Sequence, residues 1–263
     1  MTELEAFILG LIQGLTEFLP VSSSGHLLVL QALFGAERQG ILIEVVVHVA
    51  TLASVLIFYR RRVGALIAGA IRGDADALIY GLKLVVATLP AVLLVLVAGD
   101  FLEALFESTA TAGIGFLITG GILWSTRKTA PAAQLRGPGW GAALLIGCAQ
   151  AFAIVPGISR SGATVAAALA LGVAPLAAAE FSFLMSVIAI SGAAVRALPE
   201  FASAPSEVIA PLVIASASAM VFGVAAIWIF VRLLRTRGFH YFAYYTWAVG
   251  LAVFAGLAVV GGC

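Results

Sequence analysis

Gln13-Gly-Leu-Thr-Glu-Phe-Leu-Pro-Val-Ser-Ser-Ser-Gly-His26 has a counterpart later in the chain, Gln150-Ala-Phe-Ala-Ile-Val-Pro-Gly-Ile-Ser-Arg-Ser-Gly162. The two align without a gap at an offset of 137 (150 minus 13), which pairs Gln13 with Gln150, Ser22 with Ser159, Ser24 with Ser161 and Gly25 with Gly162. Both are polar islands in an oily chain. Hydrocarbon penalises unpaired polar groups, so hydroxyls, a carboxylate, an imidazole and a guanidinium kept among apolar residues point to use. The repeated unit is therefore the candidate site itself.

Around these islands the composition is extreme. Of 263 residues, 62% are hydrophobic and 10% charged, with a mean hydropathy of +1.14, more apolar surface than a water-soluble core of this size can hide. The chain reads as an integral membrane protein. Its net charge of +1, with 14 Lys and Arg scattered through short loops, excludes the basic face that nucleic acid requires. Cys148 and Cys263 cannot build a disulfide framework and have no metal-ligand neighbours. Glu3 and Glu5, with no base before Arg38, argue against a cleavable signal peptide. No soluble insertion interrupts the pattern, so residues 1–263 read as a single membrane domain in two repeats, about 1–126 and 140–263.

A membrane-crossing helix takes about 20 apolar residues. Six segments qualify: 41–59, 78–98, 109–126, 177–195, 208–231 and 241–262. Two further apolar regions, 5–34 and 140–172, are broken at Pro20 to Gly25 and at Pro156 to Gly162, leaving halves too short to span. The expected fold is an all-α polytopic membrane protein with six transmembrane helices plus two re-entrant helical hairpins in an inverted-topology repeat. Charge supports the count. Arg60, Arg61, Arg62, Arg72, Arg127, Lys128, Arg136, Arg232, Arg235 and Arg237 fall on one side, which the positive-inside rule makes cytoplasmic. The other side receives Arg38 and Arg196 with Glu3, Glu5, Glu37, Asp100, Glu103, Glu107, Glu200 and Glu207, and both termini.

Ser22-Ser23-Ser24-Gly25-His26 opens the second arm of the first hairpin. Helix capping accounts for one or two of these serines. Ser23 and His26, three apart, would share a helix face, with Glu17 one segment upstream, and a hydroxyl beside an imidazole and a carboxylate is the inventory for activating an oxygen nucleophile. Gln13 and Glu17, four apart, could offer two oxygens to a divalent cation, Mg²⁺ or alternatively Ca²⁺. In Pro156-Gly-Ile-Ser-Arg-Ser-Gly-Ala-Thr164, Arg160 at a helix N-terminus with Ser159, Ser161, Gly162 and Thr164 makes a phosphate-binding arrangement; Arg160 as the ion-pair partner of Glu17 is the other reading.

The remaining polar residues read as support. His48 is expected as a hydrogen-bonded core histidine, Glu44 and Glu180 as partners of the hairpins, and Lys83 as a snorkelling side chain. His240, Tyr241, Tyr244, Tyr245 and Trp247 look like an interfacial belt. Gly113-x-Gly115 and Gly120-Gly121 would suit a homodimer or packing within one subunit.

The segment from Gln13 through Glu17 to His26, and the segment from Pro156 to Thr164, resemble the two signatures of the undecaprenyl-diphosphate phosphatase family, integral membrane enzymes also linked to bacitracin resistance. Many members have Glu where this chain has Gln13. The resemblance implies removal of the terminal phosphate from a polyprenyl diphosphate, giving the monophosphate carrier of cell-wall synthesis. It also implies a divalent-cation requirement, membrane lipids as surroundings, and a site opening to the outer side of the bacterial plasma membrane. In that light Ser23, His26, Glu17 and Arg160 are the expected catalytic residues, with Ser22, Ser24 and Gly25 beside them on the substrate. Ser23 and His26 both remain candidates for the nucleophile. Inverted repeats with broken helices also suit a polyprenyl-phosphate flippase or secondary transporter, the rival reading.

Overall fold

The computed structural model describes residues 2–34, 41–196, 209–236 and 238–260. Glu37, Arg38, Glu200, Glu207, Arg237 and Cys263 lie outside the described residues, as do the side chains of Glu44 and Arg196. Eleven α-helices are described: α1 (Glu3–Phe18), α2 (Ser23–Phe34), α3 (Ile41–Phe58), α4 (Arg60–Ile71), α5 (Ala75–Leu105), α6 (Thr109–Thr129), α7 (Trp140–Phe152), α8 (Arg160–Ala170), α9 (Pro175–Arg196), α10 (Ile209–Arg235) and α11 (Phe242–Val260). Short 3₁₀ turns at Ala130–Ala132 and Phe239–Tyr241 lead into α7 and α11. Among the described residues the β-structure is one isolated bridge, Leu135 to Val173.

Lengths separate two kinds of helix. α1, α2, α7 and α8 have 16, 12, 13 and 11 residues. At about 1.5 Å per residue none of them spans the roughly 30 Å of a bilayer core. By contrast Ala75–Leu105, Pro175–Gly192, Ile209–Arg235 and Phe239–Ala258 are long and apolar enough to cross a membrane. The expected spans at 41–59 and 109–126 form α3 and α6. α3 is a shorter apolar helix over Val45–Phe58, and the glycines and threonines of α6 dilute its apolar character. Over its apolar window α5 is only 17% buried, leaving Leu93, Leu96 and Val97 exposed, as befits a helix solvated by hydrocarbon.

Packing fixes the direction of the short arms. α1 runs alongside α10 in the same sense: Ser218 Oγ donates to the Phe7 carbonyl at 3.0 Å, and Gly14 lies against Ala219 and Gly223. α7 runs with α5 in the same way, from Lys83 over the Trp140 ring to Gly147 against Ala87. Glu180, near the start of α9, meets Tyr80 near the start of α5, while Phe183 meets Phe230 near the end of α10. α5 and α10 are thus antiparallel, and so are α1 and α7. Close approach needs glycine at matched places. A Cβ on Gly10 would sit 2.2 Å from the Ala215 carbonyl oxygen, and one on Gly147 would sit 2.3 Å from that of Ala87.

One expectation is corrected here. Glu180 does not support a hairpin; it accepts from Arg62 Nε at 2.8 Å and from the Tyr80 hydroxyl at 3.1 Å, tying α4 to α9 and α5. Within the glycine-rich face of α6, Gly113 faces Phe254, Gly115 faces the 156–157 backbone and Gly120 faces Trp247, so all three serve packing inside this chain.

Candidate active site

α1 brings Gln13 and Glu17 to the centre of the bundle and then stops. Leu19 takes an extended conformation (ψ 145°), as a residue before proline does, and Pro20 ends the helix. The chain turns through Ser22 at φ +66° and re-enters a helix at Ser23. In the second hairpin Gly157, at φ +84°, makes the turn, and Ser159 caps α8 by accepting from the Gly162 N–H at 3.1 Å. Thr119 of α6 pins that turn from behind, donating to the Gly157 carbonyl at 2.8 Å and accepting from the Ser159 N–H at 3.0 Å.

The two tips touch. A Cβ on Gly25 would lie 2.8 Å from Gly157 Cα, and Ser161 Oγ donates to the Leu19 carbonyl at 3.3 Å. At their junction Glu17, only 8% exposed, collects donors on both oxygens. Ser23 Oγ donates to Oε2 at 2.7 Å and Gln13 Nε2 donates to the same oxygen at 3.1 Å. Arg160 Nη2 from the other hairpin donates to Oε1. His48 Nε2 of α3 stands 3.6 Å from Oε2. A buried carboxylate is tolerated only with such compensation.

A cavity of about 250 Å³ opens over this junction. Glu17, Ser22, Ser23, Ser24, His48, Ser159, Arg160 and Ser186 supply its polar wall, and Phe106, Ile154, Ile158 and Ile190 its apolar wall. Arg160 Nη1 is buried without a partner, so half of the guanidinium fork remains to be spent on an anion. Gln13 Oε1 is buried and unpartnered as well, an oxygen ligand in waiting beside a carboxylate. Hard divalent cations take such oxygens, although Gln13 lies outside the residues that line the cavity and its amide nitrogen, not this oxygen, meets Glu17. Among the described residues no group of three or more His, Cys, Asp and Glu could hold a metal ion on its own.

The expected site residues divide. Glu17, Ser22, Ser23, Ser24, Ser159 and Arg160 line the cavity. Gly25, Ser161, Gly162 and Thr164 stand behind it and hold the tips; Thr164 Oγ1, for example, lies 2.6 Å from Ser182 Oγ. His26 is not beside Ser23. Its Nδ1 lies 2.7 Å from the Ser22 carbonyl, its Nε2 lies 2.7 Å from the Tyr245 hydroxyl, and its ring packs edge-on against Phe116. The histidine that reaches the cavity is His48, expected only as a core residue. One signal pointed to it: an ionisable side chain inside an apolar span.

Residues 6–252 match the sequence model of the family described as bacitracin resistance protein BacA. The chain is 40% identical over 258 residues to an undecaprenyl-diphosphatase of Carboxydothermus hydrogenoformans, covering 96% of this chain and 97% of that one. It is similar to undecaprenyl-diphosphatase 4 of Bacillus thuringiensis (38% identical over 256 residues, 96% of both chains). It is also similar to an undecaprenyl-diphosphatase of Syntrophotalea carbinolica (37% over 261 residues, 97% of this chain and 99% of the other).

Proposed function

We propose, from the premise that this chain belongs to the BacA family of bacitracin resistance proteins, that Ser23 is its nucleophile and Arg160 its phosphate clamp. The protein is a membrane hydrolase, an undecaprenyl-diphosphatase that removes the terminal phosphate of undecaprenyl diphosphate and returns the monophosphate carrier to cell-wall synthesis. One observation carries the assignment of roles: Ser23 of one hairpin and Arg160 of the other are both hydrogen-bonded to Glu17 at the floor of one cavity.

In this reading Ser23 Oγ attacks the terminal phosphorus in line and its proton passes to Glu17 Oε2, 2.7 Å away. A serine O–P bond forms, the bond from phosphorus to the bridging oxygen breaks, and undecaprenyl monophosphate leaves. Water then attacks the phosphoserine, the serine O–P bond breaks, Glu17 returns its proton to Ser23 Oγ, and inorganic phosphate leaves carrying the protons of the water. The free Nη1 of Arg160 and the N-termini of α2 and α8 hold the phosphate oxygens as charge shifts. Gln13 and Glu17 would hold a divalent cation, Mg²⁺ before Ca²⁺, which when bound offsets the charge of the diphosphate.

The finer architecture belongs to the same proposal. α1–α2 and α7–α8 are re-entrant hairpins inserted from opposite faces, α3, α5, α6, α9, α10 and α11 are the six spans, and the two repeats are inverted. The enzyme sits in the bacterial plasma membrane with its basic loops inside, both termini outside, and the cavity open toward the end of α5, where Phe106 lines it. Purified protein in detergent, where no gradient exists, is expected to release phosphate from undecaprenyl diphosphate. Lipid movement across vesicles without phosphate release would favour the transporter reading instead.

A further inference from the structure

Ser22 is the non-glycine residue with positive φ among those described, at +66°, directly before Ser23. The left-handed region is uphill for an L-residue with a Cβ and persists only where the surroundings hold it. Here the hold is visible. The Ser22 carbonyl lies 3.3 Å from the His26 backbone N–H and 2.7 Å from His26 Nδ1. A carbonyl only accepts, so Nδ1 carries the proton, and Nε2 of the neutral ring is left as an acceptor. The Tyr245 hydroxyl fills it at 2.7 Å, with the two ring planes 7° apart. Phe116 closes the far side of the imidazole, its ring centroid 5.0 Å away. Neither His26 nor Tyr245 lines the cavity.

The geometry points to Tyr245 and His26 as positioning residues for the reaction proposed above. The hydroxyl of α11 fixes the tautomer and tilt of the imidazole, the imidazole holds the Ser22 carbonyl, and the held turn keeps Ser23 Oγ on Glu17. Both ring nitrogens are spent in this chain, so His26 acts through Ser22. Tyr245, which the sequence offers as one more belt residue, is a structural extension of the site reaching it from the last helix.

The inference rests on the assignment of Ser23, and its test separates the two. Tyr245→Phe removes one hydroxyl and should lower kcat for phosphate release about tenfold with KM within about twofold, the loss of one hydrogen bond expressed in orientation. Ser22→Gly removes the Cβ that makes φ +66° costly, while glycine caps a helix nearly as well as serine. In a Ser22→Gly background the same Tyr245→Phe change should therefore cost less than about twofold. Unchanged kcat in Tyr245→Phe, or an equal loss in both backgrounds, overturns the positioning role. A second readout needs no turnover: with isotope-labelled histidine and no substrate, the His26 Nε2 resonance, assigned by its loss in His26→Asn, should move in Tyr245→Phe. A resonance that stays put overturns the link. Wild-type protein that releases no phosphate while the resonance still moves contradicts the reaction and leaves the link standing.

Discussion

At the tip of the first hairpin Glu17, Ser22, Ser23 and Ser24 face the cavity; in the same register the second hairpin places Ile154, Ser159 and Arg160 there, with Ser161 behind. Capping is shared, since Ser22 and Ser159 precede their helices and accept from the N–H groups of Gly25 and Gly162 three residues on, whereas the left-handed turn falls at Ser22 in one tip and at Gly157 in the other. Chemistry is not. The carboxylate of Glu17 becomes an isoleucine and the hydroxyl of Ser23 becomes a guanidinium. Two identical tips would oppose either two carboxylates or two cations across one anion. In the proposed reading the difference lets one loop attack and the other hold.

The comparison also explains an orphan. Gln13 has Glu17 one turn away to receive its amide, whereas both amide atoms of Gln150 are buried without a partner, because the position one turn on is Ile154. Restraint differs too. The second tip is stapled by Thr119 and Ser182, while the first turns on a strained serine whose carbonyl is held by His26.

If the division of labour is right, the largest loss comes from the attacking loop. Ser23→Ala should lower turnover by at least about 10⁴-fold, assayed as phosphate release, because the proposed covalent intermediate forms on the hydroxyl that donates to Glu17. Arg160→Ala should cost about 10³-fold and Arg160→Lys should recover little, since a point charge cannot hold Glu17 and a phosphate oxygen together as a planar fork does. A smaller effect is expected from Gln13→Glu, which sets a second carboxylate against Glu17. Its thermal midpoint should fall in chelator and return with Mg²⁺, and a midpoint indifferent to Mg²⁺ would argue against shared ligation. Gln150→Leu should be the mildest, removing two unsatisfied polar atoms: unchanged kcat and a stability equal to or about 1 kcal/mol above wild type, read by thermal unfolding in detergent. A marked fall in kcat there would mean that the second tip does more than hold.

Much of this was legible from residues. Pro20 and Pro156 marked the breaks, and the shared register of Ser22 with Ser159 suggested two tips meeting; in the structure Glu17 contacts both Ser23 and Arg160. The same register holds further than the polar segments. Gly10 and Gly147 keep the offset, each pressing a short arm onto a long helix, a signal available in the sequence to anyone extending the alignment outward. The histidines were not legible. Spacing placed Ser23 and His26 on one face, but helical side chains lean toward the N-terminus, so the His26 ring folds back onto Ser22 while Ser23, the first helical residue, reaches the cavity. His48 and Glu180 take partners from distant segments, Glu17 and Arg62, and local periodicity carries no information on such pairings. Tyr245 was hidden for the same reason, its hydroxyl serving a loop more than two hundred residues earlier.

The most direct test of one loop attacking and the other holding is to quench turnover of terminally labelled undecaprenyl diphosphate in acid and map the labelled peptide. Acid-stable phosphate on Ser23, absent in Ser23→Ala and strongly reduced in Arg160→Ala, is the predicted result. Acid-labile phosphate on His48 or His26, with label persisting in Ser23→Ala, would contradict the account.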